Sequence, residues 1–219
     1  MLAWKGIYER MVWLLAKDRK NTQLPYKAIN WNKVEDMVDK LTWEKLTMQF
    51  WLPERINVAG DINDWRMLTE KEKWVVSYSF GSLTLLDTLQ SEEGVHSLLP
   101  SVRTQMENAI LTNISFMESV HAKSYSTIFS TLNNKHEIEQ IFDWVEKNEY
   151  LQYKAKKINE VYQMEGNPLK KKIASVYLES FLFYSGFYTP LRYLGNNKLS
   201  NVAEIIKLIR NSPVKAVML

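Results

Sequence analysis

Apolar residues recur every three to four positions along most of this chain, and no run of strict apolar–polar alternation appears, so the pattern predicts helices rather than strands. Residues 4–17 carry Trp4, Ile7, Met11, Leu14 and Leu15 at helical spacing and read as an amphipathic surface helix. A polar connector around Pro25 leads to a helix over 33–47, with Met37, Leu41 and Leu46 expected on one side. Trp51-Leu52-Pro53-Glu54 breaks it, and Ala59-Gly60-Asp61 continues the irregular stretch. Thr69 is a suitable N-cap, followed by Glu70 and Glu72 in a first turn, and opens a long helix ending near Leu89. A second long helix is predicted after Pro100, over 102–131. A loop at 133–135 precedes one helix over 137–162, which Gly166-Asn167-Pro168 ends. Residues 169–187 are apolar on nearly every face, the pattern of a buried central helix. After a turn at Gly195-Asn196-Asn197, Ser200 is expected to cap a last helix reaching Arg210. Long helices joined by short loops predict an all-α bundle.

Composition narrows the function. The chain has 219 residues with Gly 7 and Pro 6, few breakers for one sizeable helical domain. Cys 0 excludes disulfides, thiolate metal sites, iron–sulfur clusters and cysteine nucleophiles. A formal charge of +3, with its basic residues dispersed, gives no reason to expect a nucleic-acid partner. No apolar run is long enough for a membrane helix. The N-terminal apolar run is broken by Glu9 and Arg10 and lacks a signal-peptide cleavage site, so the expected location is cytoplasmic.

The candidate chemistry lies in the helix predicted after Pro100. Glu118, His121 and Tyr125 follow at intervals of three and four, which stacks a carboxylate, an imidazole and a phenol on one helical face. Asp87 and Glu179 are two further acids set among apolar residues, and a buried carboxylate is costly unless it is paired or bound to a cation. Oxygen and nitrogen donors without sulfur suit iron or manganese. Bundles that hold two such metals use single carboxylates together with Glu-x-x-His pairs. The chain offers two single acids and one such pair. His96, His136 and the lysines 170–172 read as solvated surface groups. The glycosylation-type triplet Asn113-Ile114-Ser115 falls inside a predicted helix and is discounted.

Taken together, the segments AINWN (28–32), FWLPE (50–54), LTLLDTLQ (83–90), NISFMESVHAKSYS (113–126) and LKKKIASVYLESFLFYSGF (169–187) resemble the small, radical-generating subunit of class I ribonucleotide reductase, its class Ib branch above all. The resemblance implies a ferritin-like helical bundle and a dinuclear iron or manganese cofactor. It implies that Asp87, Glu118 and His121 bind one metal, that Glu179 belongs to the second, and that Tyr125 carries a stable radical. Phe183, Phe187 and Ile209 match the apolar pocket around such a radical, and Trp51 matches the start of the electron path to a large subunit. Implied partners are a second copy, the large subunit and a flavodoxin-like activator.

Beyond Ile209 the resemblance stops. The family continues with an Arg-Asp-Glu-x-x-His-Gly segment that supplies a fourth carboxylate, a second histidine and an aspartate paired with the Trp51 counterpart. Here the sequence from Arg210 to Leu219 has neither acid nor histidine, and Pro213 would break a helix. The sequence therefore reads as an extension (1–24), an incomplete ferritin-like domain (25–210) and a divergent tail (211–219). The expectations are an interrupted gene product with an incomplete second metal site, at most one tightly held metal, no activity alone, and Phe181, Phe183 and Phe187 partly uncovered. The alternatives are an inert helical fragment and a ferritin-like oxidase or storage protein.

Overall fold

The computed structural model describes residues 27–211, so the helix expected over 4–17 and the tail after Asn211 lie outside the described residues. The chain forms two units, Met1–Lys33 and Val34–Leu219. The described part of the first is a turn in which the Lys33 N–H donates to the Asn30 carbonyl at 3.0 Å. In the second unit, α1 (Met37–Met48) leads through single 3-10 turns to a short α2 (Ile62–Met67) and the long α3 (Glu70–Leu89). A π-helical turn (Gln90–Gly94) and a 3-10 segment (His96–Ser101) carry the chain to α4 (Gln105–Leu132). Then come α5 (Lys135–Lys147), α6 (Glu149–Tyr162) and α7 (Pro168–Tyr177). A second π turn (Leu178–Leu182) separates α7 from α8 (Tyr184–Leu194), and α9 (Ser200–Arg210) follows. No strand occurs among the described residues, as the apolar period requires. None of these helices is long and apolar enough to cross a membrane.

Helix α3 is the centre of the bundle and packs along α4 as well as against α5, α6 and α8. Its start follows from the sequence. The Thr69 hydroxyl accepts the Glu72 N–H at 3.3 Å, and the Glu72 carboxylate accepts the Thr69 N–H at 2.8 Å, a reciprocal capping box. Val76, Phe80, Leu83 and Leu86 form the buried face of α3 and carry Asp87 inward with them. Gly186 lets α8 lie close on this face, because a Cβ there would fall 2.8 Å from Leu83. Leu46, Val95, Leu98, Ile110, Leu111 and Ile114 form a second, smaller apolar cluster.

The structure departs from the sequence reading in several places. The helix expected over 137–162 is two, because the Asn148 side chain caps α6 by accepting the Leu151 N–H at 2.9 Å. The stretch read as irregular after Ala59 contains α2. Helix α1 buries Leu46 but leaves Met37 and Leu41 exposed, so its apolar residues do not form one inner face. Ser200 is not the cap of α9. Leu199 occupies that position in a left-handed conformation, and Asp61 serves the helix instead, accepting the N–H groups of Asn201 (3.2 Å) and Val202 (2.7 Å). Two of the three lysines at 170–172 reach back to the protein: Lys172 to Glu107 at 2.8 Å and Lys171 to the Ser97 carbonyl at 3.3 Å.

The central helix expected over 169–187 is interrupted and is not buried all round. Leu169, Ile173, Tyr177, Phe181, Tyr184 and Tyr188 line one exposed stripe, at steps of four, four, four, three and four residues. Phe181 is 64% exposed, as expected for an uncovered helix, whereas Phe183 and Phe187 are each only 1% exposed, against the expectation. The two latter rings turn inward, edge to face at 6.0 Å, into the main core.

Candidate metal centre

Asp87 comes from the last turn of α3, and Glu118 and His121 from the middle of α4, where an i, i+3 spacing places them one above the other. One ligand atom from each lies within 4.8 Å of the others. All three residues are buried, at 0%, 0% and 2% exposure. The His121 Nδ1 is 2.9 Å from the Glu118 Oε2. Burial, only partly opposed by the charge of Glu179, lowers the His121 pKa to about 4. The neutral ring then donates its Nδ1 proton to Glu118, and its Nε2 has no hydrogen-bond partner.

Asp87 is the sharper case. Both of its carboxylate oxygens are buried without a hydrogen bond. Burial first, then the charges of Glu118 and Glu179, hold its carboxyl well above the usual carboxylate range, against the nearby Tyr125 hydroxyl, which favours ionisation. That hydroxyl lies beside Asp87 without meeting full hydrogen-bond geometry. A buried set of acids whose charges disfavour one another is an arrangement that a cation would stabilise. Three oxygen and nitrogen donors in that space fit a divalent iron or manganese ion.

Glu179 lies in the second π turn, 5% exposed. It is outside the 4.8 Å group, yet its charge acts on Asp87, His121 and Tyr125. Tyr125 follows His121 by one turn of α4, with no exposed surface and its ring 5.5 Å from that of Phe80. Burial, and then the charges of Asp87, Glu118 and Glu179, push its phenol well up, so it stays protonated. Phe183, Phe187 and Ile209 belong to the same buried apolar core as Tyr125. The Trp51 ring, 4% exposed, stacks on His121 at 5.9 Å and 22°. His96 and His136 are exposed and lie outside the group.

Sequence reasoning missed the polar groups that anchor the centre. Ser91 donates to the Ser115 carbonyl and Ser115 donates to the Ser91 carbonyl, both at 2.9 Å, which clamps the first π turn to α4 one turn before Glu118. Nothing in the local pattern of either serine signals this pairing across 24 residues.

The model of the family described as "Ribonucleotide reductase, small chain" matches residues 28–212. The chain is 52% identical over 182 residues to the ribonucleoside-diphosphate reductase subunit beta of Mycobacterium leprae, covering 83% of this chain and 56% of that protein. It is 50% identical over 182 residues to the ribonucleoside-diphosphate reductase 2 subunit beta of Escherichia coli, covering 83% of this chain and 57% of that one. The chain thus spans little more than half the length of these curated relatives. Its structure is similar to the crystal structure of Streptococcus sanguinis dimanganese(II)-NrdF, with a TM-score of 0.84 and 64% identity over 88% of this chain and 67% of the other. A ribonucleotide reductase R2 subunit from Clostridium botulinum superimposes with a TM-score of 0.80 at 26% identity, over 87% and 62% of the two chains.

Proposed function

The chain belongs to the ribonucleotide reductase small-chain family, and from that premise we propose that it provides the metal- and tyrosine-bearing bundle of a class Ib small subunit. In this reading Asp87, Glu118 and His121 hold one metal ion, and Glu179 faces a second. Manganese is favoured over iron, because the S. sanguinis neighbour carries two manganese ions. When bound and itself oxidised by an oxygen-derived oxidant, the metal pair would supply the one-electron oxidising power that a phenol requires.

The chain's own residues set the conditions for that chemistry. Tyr125 is held without contact to water, with Phe80 against its ring and Phe183, Phe187 and Ile209 in the same core, so that an oxidised phenol is kept from solvent reductants. Asp87 lies beside the phenol, and its carboxylate, ionised once a cation offsets the burial that otherwise keeps it protonated, would stand where the hydroxyl proton is received as the electron leaves. Trp51, stacked on His121, offers the aromatic route by which an electron passes between this centre and a large subunit. The proposed outcome is reduction of ribonucleoside diphosphates to deoxyribonucleotides on that large subunit, in the cytoplasm, with a second copy of the small subunit and a flavodoxin-like activator as further partners.

The observation that carries the reading is the buried convergence of Asp87, Glu118 and His121 one helical turn from a fully buried tyrosine. It is tested by loading the purified chain with Mn²⁺ or Fe²⁺, removing excess metal and measuring metal content and the electron paramagnetic resonance spectrum. At least one tightly held ion per chain is expected, at the point where three donors of the described residues converge. A chain that retains no metal, or one whose retention is unchanged by His121→Ala, overturns the reading.

A further inference from the structure

Building on the metal-centre reading, we propose that Tyr162 is a positioning residue whose hydroxyl ties the π turn after Asp87 to the helical turn before Glu179, and so sets how far apart those two carboxylates stand. Tyr162 is the last residue of α6 and is 1% exposed. Its O–H donates to the Gln90 Oε1 at 2.6 Å, and its oxygen is 3.2 Å from the Ser175 Oγ. A phenol has one proton to give, so with that proton on Gln90 the Ser175 hydroxyl donates the second bond. Gln90 and Ser175 are both fully buried. Gln90 opens the first π turn three residues after Asp87, and Ser175 lies in α7 four residues before Glu179. Each partner is thus one helical turn from a carboxylate of the centre.

The rest of the first π turn is shaped around this bridge. A Cβ on Gly94 would collide with the Gln90 Oε1 and come within 2.9 Å of the Tyr162 ring, so the absence of a side chain there leaves the pair its room. A phenylalanine would fill nearly the same volume as Tyr162, but it would strand two buried polar groups that no water reaches. A wholly apolar trio would pack as well, so the polar one points to orientation rather than to filling. Tyr162 also lies within the field of the centre. Burial foremost, opposed by the Ser175 bond and reinforced by the charges of Glu179 and Glu118, pushes its phenol up and keeps the hydroxyl protonated. Groups that orient ligands in this way commonly change metal affinity by about 10–100-fold when they are removed.

The test uses the full chain, freed of metal and titrated with Mn²⁺, comparing wild type with Tyr162→Phe, Ser175→Ala and, as a surface control, the exposed Tyr153→Phe. Helicity and cooperative unfolding are measured alongside. Tyr162→Phe is expected to fold, to bind Mn²⁺ about tenfold more weakly and to alter the resonance lineshape of the bound ion. Ser175→Ala is expected to move both readouts in the same direction by less, and Tyr153→Phe to move neither. Wild-type affinity and lineshape in both Tyr162→Phe and Ser175→Ala overturn the proposal while leaving the metal centre standing. If Tyr162→Phe does not fold, Ser175→Ala decides by the same criterion. Failure of the wild type to bind Mn²⁺ overturns the metal-centre reading, and this proposal with it.

Discussion

Helix α4 and the α7–α8 segment each carry a buried acid amid apolar residues, but their outward faces differ. On α4, Glu118, His121 and Tyr125 share the inner face with Ile114, Met117 and Ile128, while serines, threonines and a lysine take most of the outer one. On α7–α8, Glu179 and Phe183 point inward, but the outer face carries large apolar residues as well. Glu179 is 5% exposed and Phe181, two residues on, is 64% exposed, so a single helix separates this carboxylate from solvent. Closing a site and completing a bundle are therefore separate demands: one inward-facing row of side chains meets the first, and the second needs cover on both sides. A contiguous exposed apolar row of this kind is the usual mark of an interaction surface.

The contrast is broken most directly by removing ligands from each side. His121→Ala should weaken Mn²⁺ binding by about a hundredfold or more, because it takes a donor from the preassembled group, and Glu179→Ala by about tenfold. Calorimetric titration of the two variants measures the difference. Equal losses would mean that the two sides contribute alike.

Stability should show the same asymmetry. Phe80→Ala, at a residue with no exposed surface against Tyr125, is expected to cost about 3–5 kcal/mol through lost burial and the cavity left behind. Phe181→Ala should fall within about 0.5 kcal/mol, as for most exposed sites. Urea denaturation midpoints of the two variants test the pair. A large loss on Phe181→Ala would show that the exposed stripe already has a partner in solution.

The smallest effect concerns the tie between the two regions. Lys172 of α7 holds Glu107 of α4, and Arg103 adds a second contact to the same carboxylate at 3.3 Å. Burial disfavours the Glu107 charge, but the Lys172 and Arg103 contacts outweigh it and hold its carboxyl below the usual range. A depressed folded-state value means that the stabilisation is complete above the unfolded glutamate value and is lost as pH falls through the folded one. Glu107→Gln should therefore cost about 1 kcal/mol at neutral pH and progressively less in acid. A difference from wild type that does not shrink in denaturation curves below the glutamate range would show that the tie is not electrostatic.

What was legible in the sequence was local. The spacing of Glu118, His121 and Tyr125 fixes their common face whatever surrounds α4, and Thr69 with Glu72 states the cap of α3 within four residues. The pattern also placed Asp87 and Glu179 inside, because acids among leucines and phenylalanines have few alternatives. What was not legible depends on residues far apart in the chain. The Gln90–Tyr162 bond spans 72 residues, and the two π turns that re-aim Gln90 and Glu179 leave no mark in a 3.6-residue period. On α7–α8 the expected exposure holds for Phe181 but not for Phe183 and Phe187, because a pattern that is apolar on every face does not say which face is packed.

The cap of α9 also bears on how the chain reaches its fold. Asp61 meets Asn201 and Val202 across 140 and 141 residues, and Asp64 meets Leu199 across 135. Closing a loop of that length costs entropy before any contact repays it, so such pairings tend to form late. During synthesis the 3-10 turn that bears Asp61 leaves the ribosome long before its partner exists. The N–H groups at the start of α9 wait on a docking event, not on their own neighbours in sequence. Helix α9 therefore cannot be finished locally, and its ordering reports on whether the elements it packs on have already assembled.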